Sequence, residues 1–203
     1  MRKILVASTN PGKLKELREM LRGDIEWVGL SDFPGIGEIE EDGRTFAENA
    51  RKKALGYAKA TGLWTLADDS GLVIDALGGQ PGVKSARFSG DKDKNRGLLD
   101  HKNMAKVLTL LDGVPTAKRT ARFVCCLCIA SPEEVLIETE GKLEGVIANE
   151  QAGENGFGYD PIFFVPELNK TVAQMTSEEK NAISHRGNAI RKLKPKLEER
   201  LRS

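Results

Sequence analysis

The N-terminal segment 1–21 restricts the fold most. Within Lys3–Ala7 the run Ile4-Leu5-Val6 is apolar without a break, as a buried strand requires, and Leu14, Leu17 and Leu21 then recur at helical spacing. Between them stand Ser8, Thr9 and Asn10, all good N-cap types, and Pro11, which suits the first helical position. Gly23 reads as the stop. A chain that leaves a buried strand through a short loop and enters an amphipathic helix is beginning an α/β unit. One residue conflicts with the local electrostatics. Lys13 lies in the first helical turn, where the helix dipole already places partial positive charge. An anion bound at that turn removes the conflict; the alternative is a lysine that turns out to solvent.

The alternation continues. "EIEEDGRTF" (38–46) is an acidic loop, and Thr45 with Glu48 forms a capping box for a helix from Phe46 to about Thr61. "LWTLA" (63–67) reads as a second buried strand that ends at "DDSG", and "GGQPGVKSARFSG" (78–90) as a Gly-rich loop. Residues 91–112 begin charged and become helical, with Met104, Val107, Leu108 and Leu111 on one face. "ARFVCCLCIA" (121–130), "EVLIETEGKLEGVIA" (134–148) and "DPIFFV" (160–165) read as strands. A helix is expected from about Ser177, with Thr176 and Glu179 as a capping box, Gly187 as a point of interruption and Pro195 as a kink or break. No repeat, low-complexity tract or linker is visible. The expectation is one α/β domain over 1–203, a mixed sheet with flanking helices.

The totals exclude some classes. The 203 residues suffice for a real core, and a net charge of +1 with no basic run argues against a nucleic-acid or membrane surface. The longest apolar run, Phe123 to Ala130, is too short to cross a bilayer, and the short run after Met1-Arg2-Lys3 does not make a signal peptide. Cys125, Cys126 and Cys128 are odd in number and closely spaced, which fits neither a disulfide framework nor a zinc motif. Buried reduced thiols are expected, in keeping with a cytoplasmic protein.

Four stretches carry candidate chemistry. In "STNPGK" (8–13), backbone N–H groups and the Ser8, Thr9 and Asn10 side chains face a helix start, and Lys13 adds a point charge for phosphate. The spacing is not that of a Walker A loop. In "LADDSG" (66–71), two adjacent carboxylates close a buried strand, which is costly unless a cation or a donor-rich partner meets them. Hard oxygen ligands beside a phosphate site point to Mg2+, with Glu40 and Glu41 available to complete it; a plain turn is the alternative. In "GENGFGYDPIFF" (153–164), glycines around Phe157 and Tyr159 permit close approach to a ligand and a stacking aromatic; a packed hairpin loop is the alternative. In "SEEKNAISHRG" (177–187), Lys180, Ser184, His185 and Arg186 lie on one or neighbouring helical faces. Phosphate donors, carboxylates for Mg2+, a stacking aromatic and further cations together suit a nucleoside triphosphate.

With "EEDGRTFAENA" and "GGQPGVKSARFSG", these blocks run in order along nearly the whole chain and resemble the inosine triphosphate pyrophosphatase family, which acts on non-standard purine nucleoside triphosphates. The resemblance implies an elongated mixed sheet with two lobes around a central substrate cleft, a homodimer, and Mg2+-dependent cleavage of ITP, dITP and XTP to the monophosphate and pyrophosphate. It implies Asp69 as the catalytic acid and Glu41 with Asp69 as metal ligands. It implies substrate contacts from Ser8, Thr9, Asn10, Pro11, Gly12, Lys13, Ser70, Phe157, Gly158, Tyr159, Asp160, Lys180, His185 and Arg186. Segment 90–108 departs, being longer and more charged than the family pattern. Rival readings are a pyrophosphatase for other modified nucleotides, pyrimidines included, and a nucleotide sensor without turnover. Intact Glu41, Asp69 and Lys13 argue against the sensor, because pure binding needs no water-activating metal site.

Overall fold

The structure, a computed structural model, describes residues 2–21, 25–93 and 95–202; the helix stop expected at Gly23 lies outside them. Seven strands form one mixed sheet in the order β2-β1-β3-β4-β5-β6-β7: β1 Arg2–Ala7, β2 Ile25–Gly29, β3 Trp64–Ile74, β4 Thr120–Ala130, β5 Val135–Ile147, β6 Phe163–Val165 and β7 Lys170–Thr171. The helices are α1 Pro11–Met20, α2 Phe46–Thr61, α3 Arg96–Leu110, α4 Ser177–Ile183 and α5 His185–Arg202. The α/β class read from the sequence holds. β1 pairs with β2 and β3 in parallel, whereas β6 is antiparallel to both β5 and β7.

The chain divides into two compact units. The first comprises 1–69, 125–141 and 185–203; the second comprises 70–124 and 142–184. The first has its own core, in which Ile4, Val6 and Leu66 from the parallel strands meet Leu127 and Ile129 of β4, Leu17 of α1 and Ile190 and Leu193 of α5. Each such side chain, fully buried, contributes roughly 1.5–3 kcal/mol. Gly141 is required here, because a Cβ at that position would collide with the backbone of His185 and Ala189 on α5. The second core packs Leu72 and Ile74 of β3, Val107 and Leu111 beside them, and the stacked Phe123–Phe163 rings, whose centroids are 4.3 Å apart. All three cysteines are buried and free, as expected.

Several boundaries differ from the sequence reading. The "LWTLA" strand does not end at "DDSG": β3 runs on through both aspartates to Ile74. Carboxylates stay in a central strand because cationic partners neutralise them, as described below. β2 was not anticipated; its five residues are only partly buried, so the apolar run is weak. "DPIFFV" begins as a 3-10 turn at Asp160–Ile162, and only Phe163–Val165 is strand. The C-terminal helix breaks at Ser184, which takes an extended conformation (φ −61, ψ 154), while α5 continues through both Gly187 and Pro195. The break coincides with the boundary between the units, α4 belonging to the second and α5 to the first.

Candidate active site

In the first unit, the register Ala7↔Ala67 sets the last residue of β1 beside the middle of β3, so the 8–13 loop leaves the sheet next to the Asp68-Asp69 pair. This is the strand end at which ligands collect in open α/β sheets. Asn10 is the cap of α1: its Oδ1 accepts from the backbone N–H groups of Gly12 (2.9 Å) and Lys13 (3.3 Å), with Pro11 as the first helical residue. Ser8 Oγ accepts from Asn10 N, and Thr9 and Pro11 are exposed. The first-turn lysine finds its anion inside the protein, because Lys13 Nζ lies 2.5 Å from Asp68 Oδ1.

Asp68 is fully buried and held from two sides. Arg186, 1 % exposed, donates through Nε to Asp68 Oδ2 at 2.7 Å and through Nη1 to Glu16 Oε2. Burial alone pushes the Asp68 carboxyl up, but Arg186 and Lys13 together outweigh it and hold it well below the usual carboxylate range. The Cys125 thiol, pushed up by burial and by Asp68, donates to Asp68 Oδ2 at 3.2 Å.

Asp69 is treated differently. Burial is again the largest influence and here it wins. Lys13 and Lys53 pull the pKa down and Glu41 pushes it up, and the carboxyl settles at about 6. Two neighbouring aspartates therefore differ in acidity because a guanidinium clamps one, while burial prevails at the other with a second carboxylate adding to it.

That second carboxylate is set in place by α2. Lys53 Nζ donates to Asp68 O at 2.7 Å and pairs with Glu41 Oε1 at 3.0 Å. One turn earlier, Asn49 Oδ1 accepts from Gly43 N at 2.7 Å; one turn later, the Tyr57 hydroxyl accepts from Ile39 N at 3.3 Å. Every fourth residue of the helix thus ties down every second residue of the acidic loop. The spacings agree, since four helical residues rise about 6 Å and two extended residues about 6.6 Å. The Thr45 cap accepts from Glu48 N as expected, but the Glu48 carboxylate reaches Arg44 N rather than completing the box.

In the second unit, Asp160 Oδ2 accepts from Phe157 N (2.8 Å) and from Lys180 Nζ (2.6 Å), and the Lys180 ammonium also sits over the Phe157 ring at 4.5 Å. Gly158 N donates to Asp100 of α3 (2.9 Å), and the Tyr159 hydroxyl donates to Ser85 O (2.7 Å). Ser70 begins this unit's share of β3.

The structure therefore assembles Ser8–Lys13, Glu41, Asp69 and Arg186 in one unit, and Phe157–Asp160 with Lys180 in the other. His185, buried, opens α5 in the first unit; the helix expected to carry Lys180, His185 and Arg186 on one or neighbouring faces is divided at Ser184. Sequence reasoning missed Asp68, Glu16, Asn49 and Lys53. The last two left a signal: Asn49, Lys53 and Tyr57 recur at i, i+4 beside the buried Ala50, Ala54 and Ala58. Polar residues on the face that small apolar residues mark as inward must have partners there.

The donor set suits a magnesium ion. Glu41 and Asp69 offer hard oxygens close together, and a divalent cation would compensate both the burial that chiefly raises the Asp69 pKa and the smaller push from Glu41. Among the described residues no three His, Cys, Asp or Glu side chains converge as a metal cage. Magnesium is held by one or two carboxylates, its other positions going to water and phosphate oxygens.

Buried carboxylates of unlike acidity stand beside lysines at the end of β1 and along β3, an arrangement that suits an enzyme of phosphate chemistry. The chain belongs to the Ham1 family, whose model matches residues 4–196. It is 53% identical to the dITP/XTP pyrophosphatase of Desulforamulus reducens over 192 residues (94% of this chain, 92% of that protein). It is 50% identical to that of Listeria innocua over 200 residues (98% and 96%). Among solved structures it resembles a HAM1 protein from Coxiella burnetii, with TM-score 0.88 and 43% identity over 98% of this chain and 100% of that one. It also resembles a dITP/XTP pyrophosphatase from Mycobacterium abscessus, with TM-score 0.76 and 46% identity over 94% and 98%. No helix among the described residues is long and apolar enough to cross a membrane.

Proposed function

We propose that the protein hydrolyses dITP, ITP and XTP to the monophosphate and pyrophosphate with Mg2+ as cofactor, and so keeps deaminated purines out of DNA and RNA. It would do so in the cytoplasm as a homodimer, its 203 residues acting as one functional domain. The observation that carries the reading is the cluster of Lys13, Lys53, Glu41 and Asp69 at the end of β1 and along β3, in a chain about half identical to dITP/XTP pyrophosphatases. Glu41 and Asp69 would hold the metal, which when bound neutralises phosphate-oxygen charge and acidifies water. Asp69 orients the attacking water and takes its proton. Lys13, released from Asp68 toward the triphosphate, stabilises the charge on the departing pyrophosphate, and the 8–12 loop frames it. Asp68 keeps its ionised form through Arg186, so Arg186 acts on the substrate through Asp68. Phe157–Asp160, Lys180, Ser70 and His185 complete the nucleotide contacts.

Base choice follows from hydrogen-bond chemistry. Hypoxanthine and xanthine carry a 6-oxo acceptor where adenine carries an amino donor, and a site built around a buried donor rejects the wrong partner by roughly 10⁴ or more. Guanine keeps the 6-oxo group, so its 2-amino group must be what is refused, through a steric or unpaired-donor penalty. The test is a product assay with Mg2+ and ITP, dITP, XTP, GTP and ATP. Pyrophosphate is expected from the first three, with GTP well below them and ATP at or below GTP. Release of orthophosphate, or ATP cleaved as fast as ITP, would overturn the reading.

A further inference from the structure

We propose that Asn49 is a positioning residue that braces the Glu41 loop against Asp69 and so sets the separation of the two carboxylates that take the cation. The argument starts from an amide that is 0% exposed. Its orientation is fixed, because Gly43 N is a donor and so requires the oxygen on its side. The amide nitrogen must then face the other way. It completes no hydrogen bond of standard geometry among the described residues, yet it lies close enough to Asp69 to favour the ionised carboxylate. A buried donor is costly to leave without an acceptor, so this amide favours a carboxylate held on its side. The Gly43 backbone approaches this side chain closely. A Cβ on Gly43 would already lie 2.6 Å from Asn49 Oδ1 and 2.9 Å from Glu48 Cβ. Lys53, one turn along the same face, makes the parallel link from Glu41 to Asp68 O. Two side chains four residues apart on α2 thus stand between the acidic loop and the Asp68-Asp69 strand. The outer residues around a metal site orient its ligands in this way, and their loss lowers metal affinity by about 10–100-fold.

This inference rests on the magnesium reading above. The experiment measures Mn2+ binding to the purified protein by electron paramagnetic resonance, with and without inorganic pyrophosphate, alongside thermal melts. Asn49→Ala removes the brace, and Gly43→Ala pushes its loop end aside. Thr45→Ala weakens the cap of the same helix and leaves the brace intact. We expect Mn2+ affinity to fall about tenfold or more in both brace variants and to stay within about twofold in Thr45→Ala, even where all three melt lower. Equal losses in Thr45→Ala, unchanged Mn2+ affinity in Gly43→Ala, or unchanged affinity in a folded Asn49→Ala would each overturn the proposal. If Asn49→Ala does not fold, Gly43→Ala decides. A parent protein that binds no Mn2+ in either condition would instead remove the metal reading itself.

Discussion

Replacing Asp69 by asparagine should make the metal-free protein more stable at neutral pH while nearly abolishing its activity. Asp69 is 6% exposed, and its pKa rises from 3.8 in the unfolded chain to about 6 in the fold. At pH 7 the native state thus holds a charge that its surroundings disfavour. The difference is roughly 2 pH units, and at about 1.4 kcal/mol per unit the ionised carboxylate costs the fold about 3 kcal/mol. Between about pH 4 and 6 the native protein retains the proton and the unfolded chain does not, so stability falls as pH rises through that window and then levels off. An asparagine side chain carries no charge, so the Asp69→Asn variant should lose this slope. In urea denaturation with EDTA, its advantage should be near zero at about pH 4, grow to about pH 6 and persist at about pH 8. For a chain of this length the gain corresponds to on the order of 5–10 °C in the melting temperature. Added Mg2+ should close the gap by stabilising the parent alone, since only the native state binds it. The rate should fall about 10²–10⁴-fold or more with the loss of a proton acceptor and metal ligand. A variant less stable than its parent at about pH 7.5, or a gap of the same size at about pH 4.5, would refute the burial argument.

Two further outcomes are expected. Lys13→Ala should raise KM for the triphosphates and weaken inhibition by pyrophosphate, read from steady-state kinetics, because a phosphate-facing cation is lost; normal values for both would leave Lys13 only its pairing with Asp68. Gly141→Ala should cost about 1–3 kcal/mol through the forced contact with α5 and lower the melting temperature without changing the pattern of products; an unchanged melt would refute the close approach.

Local rules found much of the fold. The α2 boundaries follow from Thr45 and the Gly62 stop, and the Thr176–Glu179 box starts α4 where the sequence placed it. Tertiary compensation hid the rest. Asp68 looks like a turn residue until Arg186, 118 positions later, is set against it, and so β3 read as ending too soon. Pro195 looks like a helix break, yet α5 is held by Leu193 and Leu197 in the core on either side of it. The site divides in the same way. Lys13 announced itself by conflicting with its helix dipole, whereas Lys53 and Asn49 lay inside an ordinary helical pattern and needed the facing loop to give them meaning.

The order in which the chain is made gives the Arg186 clamp a second significance. A ribosome delivers the residues of the second unit, through 184, before it delivers α5. Until that helix emerges, the first unit lacks Ala189, Ile190, Leu193 and Leu197 from its core, and Asp68 lacks the guanidinium that does most to keep it ionised. A carboxylate with so little compensation resists burial. A chain that has not yet extended to α5 therefore resists burying Asp68, and the helix that follows brings the charge that makes the burial tolerable.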